Sequence, residues 1–286
     1  MTPLAERAAL VALLRNRKAR RSWQEYADLV EEAGSALATL EEEQGLLAAE
    51  VLDAAEAEIE GWQARGIRVI SLLDPDYPDN LRAVHDRPPL ILVAGCLEPG
   101  DWRSVAVVGA RQASPAGLRI ARSVAEHLAD RGYTVVSGLA AGIDTAAHTA
   151  ALARDGRTIA VIGTGLSRFY PPQNAALQRR IASECAVISQ FWPDAPPSRH
   201  SFPMRNAVMS GMTLATVVVD ASHTSGARMQ ARLALAQGRT VFLVETLLEQ
   251  EWARELSQRP GTHVVRSSEE ITTVVGRLTS LSALTA

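Results

Sequence analysis

Between residues 105 and 245 the chain sets out apolar strands one after another, each broken at a glycine- or proline-rich turn and followed by a helix. The first unit, SVAVVGARQASPAGLRIARSVAEHLADRG, runs a strand over residues 105–108 into Gly109, Arg111 and Ser114, and an amphipathic helix starts near Pro115. The second, YTVVSGLAAGIDTAAHTAALARDG, places Ser137, Gly138, Gly142 and Asp144 ahead of a helix carrying His148. The third, RTIAVIGTGLSRFYPPQN, ends its strand at Gly163, Thr164 and Gly165. Strands that are apolar throughout and alternate with helices form right-handed crossovers in a parallel sheet covered on both faces. The expected class is α/β: an extended Rossmann-like, doubly wound, mostly parallel sheet, with its ligand beyond the carboxyl ends of the strands.

None of these turns is a dinucleotide fingerprint, and no glycine-lysine-serine/threonine triplet makes a P-loop; the chain has a single lysine, Lys18. Each turn aims backbone N–H groups and a helix N-terminus at the space above the sheet, which favours an anion. The alternative for every glycine is that the crossover needs it for its backbone geometry alone. Arg111 stands where its guanidinium can fork onto a phosphate. Arg205 and Asn206, beside Phe202 and Pro203, are expected on the opposite wall, and Ser225 and Gly226 add hydroxyl and backbone contacts. Phe202 is a candidate to stack on bases; Phe169 reads equally well as a core aromatic. Asp144 and His148 resemble an acid–base pair, but an Asp at a helix start and a His one turn later are more often cap and packing residues.

Taken in order, VVGAR, VVSGLAAGIDTAAH, TIAVIGTGLSRFYPPQN, SFPMRNAVMSGM and VVVDASHTSGA resemble the DNA-processing protein A (DprA, also called Smf) family, and LLDPDYPDNLRAVHDRPPLILVAG resembles that family's lead-in. The resemblance implies a pocket for single-stranded DNA lined by Arg111 and Arg205. It further implies protection of single strands, loading of the RecA recombinase in natural transformation or recombination, and a homodimer. No cofactor, metal or catalytic residue is implied. The chain departs from the family pattern at Ala207, where a second arginine is usual, at Arg228 in the serine-glycine segment, and at Glu245, where proline-glycine is common. Arg228 is therefore a candidate replacement cation. Two other readings belong to the same fold group: a sensor of a nucleotide-derived ligand, and an N-glycosidase like the cytokinin-activating LOG enzymes, whose glycine-rich turn and catalytic glutamate are missing here.

A formal charge of -3 does not mark a nucleic-acid binder, but a local arginine pocket in a mildly acidic chain is compatible with one. Cys96 and Cys185 lie far apart without ligand-like spacing, which speaks against a disulfide framework or a zinc site. With no signal-like or membrane-length apolar run, a cytoplasmic location is expected. Residues 1–64 are rich in Ala, Leu and Glu with helical periodicity and read as a small helical domain, of the sterile-alpha-motif or helix-hairpin-helix kind by the resemblance, ahead of a Rossmann-like domain at 65–286. Its basic cluster, Arg15, Arg17, Lys18, Arg20 and Arg21, is either a second DNA contact or an ordinary solvated helix face. A helix, a turn at Pro260-Gly261, a short strand at residues 263–265 and a last helix at Ser267 or Ser268 are expected to close the domain, with too few residues left for a winged-helix module.

Overall fold

The computed structural model describes residues 3–16, 21–222 and 225–285. Four helices come first: α1 (Leu4–Arg15), α2 (Trp23–Ala33), α3 (Ala36–Gln44) and α4 (Ala48–Gln63). There follow β1 (Ile67–Ser71), α5 (Asp79–Arg82), β2 (Leu90–Gly95), β3 (Ser104–Gly109), α6 (Pro115–Asp130), β4 (Thr134–Ser137), α7 (Ile143–Ala153) and β5 (Thr158–Val161). The chain continues through α8 (Ala175–Glu184), β6 (Ala186–Ser189), α9 (Ser201–Gly211), β7 (Ala215–Asp220), α10 (Gly226–Ala236), β8 (Thr240–Val244), α11 (Glu251–Ser257), β9 (Thr262–Val265) and α12 (Ser268–Thr285).

The strands form one sheet in the order β1-β2-β6-β5-β4-β3-β7-β8-β9. From β6 to β9 every pairing is parallel, while β2 pairs antiparallel with both β1 and β6. Alternation along the strands divides the core. Ala106, Val108, Ile159 and Val161 face Val208, Met209, Ala231 and Trp252 from α9, α10 and α11. Val105, Val107 and Val135 face Ala121, Ala125, Ala147 and Ile271 from α6, α7 and α12. Both faces of the parallel part are therefore dry, as continuous Val/Ile runs require. Helix starts follow local chemistry: Ser114 caps α6 by accepting from Gly117 N at 2.9 Å with Pro115 at the first position, and Ser22 and Glu25 form a capping box on α2.

The first four helices share a continuous core with the sheet, in which Leu10, Leu13, Tyr26, Ile59 and Trp62 pack with Ile67, Val69, Leu90 and Leu92. Arg7 on α1 grips the Asp74 carboxylate with two hydrogen bonds, 2.7 and 2.9 Å, and Asp74 also accepts from Ser71 N at 2.8 Å. On the same side the Trp192 ring packs against Trp23 and Trp62 in tilted contacts, with ring centroids 5.7 Å from each. The two cysteines, remote in sequence, are neighbours across the β2–β6 edge, where Cys96 N donates to Cys185 O at 2.9 Å, and both are free thiols. Among the described residues, no helix is long and apolar enough to cross a membrane.

Candidate nucleic-acid interface

From β3 the chain first adds strands on one side, β4, β5 and β6, and then crosses back to add β7, β8 and β9 on the other. The crevice at such a switch point, beyond the carboxyl ends of β3 and β7, is where ligands of open α/β sheets bind. A cavity of about 720 Å³ lies there, walled by Gly109, Ala110 and Arg111 after β3, by Asp220, Ser222, Ser225 and Gly226 after β7, and by Phe202, Arg205 and Asn206 of α9. A smaller one of about 190 Å³ adjoins it, lined by Gly138, Gly163, Thr164, Tyr170, Pro171 and Gln173 and sharing Arg111, Phe202 and Arg205. Where they meet, the exposed Arg111 guanidinium lies 5.3 Å from the centre of the Phe202 ring, and Tyr170 packs against that ring at 5.8 Å. Cation and aromatic groups thus form one shelf.

Arg205, the second arginine on the cavity wall, has a different setting. Only 6% exposed, it donates to Val161 O at 3.2 Å and lies 4.0 Å from the Asp144 carboxylate. Asp144 in turn accepts from Gly138 N at 3.1 Å and Ala140 N at 3.3 Å, holding the turn that follows β4. Burial pushes the Asp144 carboxyl up and the Arg205 guanidinium down, and each charge opposes the shift of the other. This pair is a buried strut beneath the shelf, with Arg205 Nε left without a hydrogen-bond partner. His148 takes no part: it is fully buried with Nδ1 2.7 Å from Thr158 Oγ1, and burial lowers its pKa to about 3, which keeps it neutral. The Asp144/His148 expectation of cap and packing roles therefore matches their contacts, although the residue preceding α7 is Gly142.

Five glycines expected at the ligand are each required by packing. A Cβ on Gly138 would fall 1.2 Å from Arg205 Nη1, and one on Gly163 2.9 Å from the Phe202 ring. At Gly109 it would meet Ile143 at 2.4 Å, at Gly142 the Ala110 carbonyl at 2.3 Å, and at Gly165 the Trp192 carbonyl at 2.1 Å. Gly109, Gly138 and Gly163 still line the cavities, whereas Gly142 and Gly165 do not. Ser137 is also off the lining: fully buried, its hydroxyl donates to Val107 O at 2.7 Å. Asn206 lines the larger cavity while Nδ2 reaches Gly226 O at 3.4 Å, and Ser225 caps α10 through Ala227 N.

Arg228 is not on the cavity wall, because its guanidinium packs 5.9 Å from the Trp252 ring. Nor does Glu245 reach the cavity; it pairs with Arg266 at 2.7 Å. Phe169 is half-buried under Arg179, 4.3 Å from its ring. The expected anion site at the N-terminus of α6 is filled by the protein's own Asp220, whose carboxylate accepts from Ser114 N at 3.0 Å and Ser114 Oγ at 3.2 Å. Asp220 and Tyr170 are among the lining residues that sequence reasoning passed over, though an acid ending an apolar strand and a Tyr-Pro at a crossover turn both mark strand ends. His223 and Thr224, within the VVVDASHTSGA stretch, lie outside the described residues, as do Arg17, Lys18 and Arg20.

Fold and site define a class: a doubly wound α/β domain whose switch-point crevice presents a cation, aromatic rings and an amide. Residues 68–275 match the model of the DNA recombination-mediator protein A family, and the chain belongs to that family. Protein Smf of Synechocystis is 39% identical over 188 residues, a match covering 64% of this chain and 47% of that protein, so the chain spans about half of that relative's length. The X-ray structure of DNA processing protein A from Streptococcus pneumoniae superposes with a TM-score of 0.69 at 30% identity, covering 95% of this chain and 93% of that one. The Helicobacter pylori DNA processing protein A, in a structure concerned with its single-stranded DNA binding mode, shares the fold with a TM-score of 0.65 at 24% identity over 75% of this chain and 96% of that one.

Proposed function

We propose that this protein binds single-stranded DNA across the switch-point crevice and serves DNA processing in recombination without chemistry of its own. The observation that carries the reading is the shelf itself: Arg111 exposed over Phe202, with Tyr170 packed on the same ring, at the junction of two cavities. Unpaired bases present faces that aromatic rings and guanidinium planes stack on without regard to sequence, and the cation meets the backbone. The bases of a duplex are already stacked on one another. The settings of the nearby acids fit a binding role: Asp144 is held by Arg205 and backbone N–H groups, Asp220 is engaged by Ser114, and His148 is sealed in the core. The proposal extends to handing the strand to RecA, acting as a homodimer and working in the cytoplasm, readings that family membership supports.

The test is a fluorescence-anisotropy titration of a labelled oligothymidine and a matching duplex at two salt concentrations, with Arg111→Ala and Phe202→Ala alongside. The proposal expects preference for the single strand, weakening with salt, and a loss of roughly tenfold or more in each variant. Binding indifferent to both substitutions would contradict it, and competition by mononucleotides alone would shift the reading to a small nucleotide-derived ligand.

A further inference from the structure

Beyond the smaller cavity the turn between β5 and α8 carries Ser167, Arg168, Phe169 and Tyr170 out to the surface. Tyr170 closes the shelf against Phe202, while the exposed Arg179 lies 4.3 Å over the ring of Phe169. Arg168 is exposed, with Nε donating to Asp194 O at 3.1 Å. Arg65, just past α4, reaches the same spot, donating to Ser167 Oγ at 3.3 Å and lying 3.6 Å from the Asp194 carboxylate. Two residues back from Asp194, the Trp192 ring carries the Arg15 guanidinium at 4.2 Å. These contacts link the rim of the crevice to the helical unit through a run of arginines, two of which lie over aromatic rings.

We propose that this run is a second contact path for the strand that occupies the crevice: single-stranded nucleic acid leaves the Arg111–Phe202 shelf past Tyr170 and lies over Arg179 and Arg168 toward Arg65 and Arg15. The inference rests on the single-strand reading of the crevice and extends it. The charge balance favours a polyanion. The opposing carboxylates are Asp194, which faces Arg65, and Glu58, which holds Arg15 at 2.5 Å, while among the described residues no carboxylate pairs with Arg168 or Arg179. A structural arginine is buried against its counter-charge, as Arg205 is against Asp144; Arg179 instead spreads an exposed guanidinium over a ring, leaving donors for phosphate and a flat cation for a base. Because Arg168 is fixed through the Asp194 carbonyl, its charge is held in place on the path rather than free to fold away.

Strand length separates the path from the crevice. Affinity is measured for an oligothymidine of about six nucleotides, enough for the crevice, and one of about twenty, enough to run onto the helical unit. The double variant Arg168→Ala/Arg179→Ala is expected to weaken the long oligonucleotide roughly five- to tenfold and to flatten its log–log salt dependence by about 0.7 for each phosphate that is no longer neutralised. The short one should bind as before. Arg179→Lys should recover the salt slope, since the charge is retained, but only part of the affinity. Equal affinity of the double variant and the parent for the long strand would overturn the path while leaving the crevice intact. Failure of the parent to bind the short strand, or indifference of both strands to Arg111→Ala, would instead overturn the reading on which the path rests.

Discussion

Arg111 and Arg205 line the same cavities with opposite surroundings. Arg111 is exposed and lies over an aromatic ring; Arg205 is buried beneath it, donating to Val161 O and lying 4.0 Å from the Asp144 carboxylate. The same side chain is therefore a binding group at the rim and a strut at the floor. Proximity to a cavity does not separate these roles, but burial and partnering do: a charge already desolvated and paired has little left to offer a ligand, and removing it strands its partner.

The largest effect follows from the floor. Arg205→Ala leaves the Asp144 carboxylate buried without its cation and should cost about 3–5 kcal/mol of stability, read by chemical denaturation. Asp144→Asn in the same chain should recover much of that loss; a floor that tolerates Arg205→Ala with no shift in midpoint would break the comparison. Gly138→Ala drives a methyl into the space of Arg205 Nη1 and should cost about 3 kcal/mol, but less in the Arg205→Ala background, because the clash is then gone. Additive losses would show that the glycine serves something else.

At the rim the effect moves from stability to affinity. Arg111→Ala should change stability by no more than about 0.5 kcal/mol and weaken single-strand binding by about 1.4–3 kcal/mol. The last effect is in pH, and it is a gradual slope rather than a single loss. His148 takes a proton near 6.5 when unfolded but only at about 3 when folded, so its contribution is fully present above pH ~6.5 and is lost as pH falls toward 3. Stability should decline by at most about 1.4 kcal/mol per pH unit in that window, and His148→Gln should flatten the slope between pH ~6.5 and ~5. The raised carboxyl of Asp144 acts with the opposite sign, since its protonation in the folded state relieves the buried charge.

Much of the fold was legible because strand and helix periods are written in residue type: the strand 105–108, the Ser114–Pro115 helix start and the closing strand at 263–265 appear in the structure within a residue or two. So was the edge at which the crevice forms. The roles within it were harder to read. Each glycine reads alike in sequence whether a ligand or a side chain fills the space it leaves, and only the positions of Arg205 and Phe202 show that Gly138 and Gly163 make room for them. A signal for Arg205 did exist: it lies three, four and seven residues before Val208, Met209 and Met212, the spacing of one helix face, and all four are buried. Asp220 at the N-terminus of α6 was not legible, since β7 and the α6 start are brought together only by the sheet order, in which β3 and β7 are neighbours. The cysteines became neighbours in the same way, across β2 and β6.

The most direct test of the division between rim and floor measures two quantities on two variants: denaturation midpoint and oligothymidine affinity for Arg111→Ala and Arg205→Ala. The account predicts that Arg111→Ala keeps the midpoint and loses affinity, while Arg205→Ala lowers the midpoint markedly whether or not DNA is present. If Arg205→Ala folds with parental stability and loses affinity as Arg111→Ala does, both arginines are binding groups and the floor is not a strut.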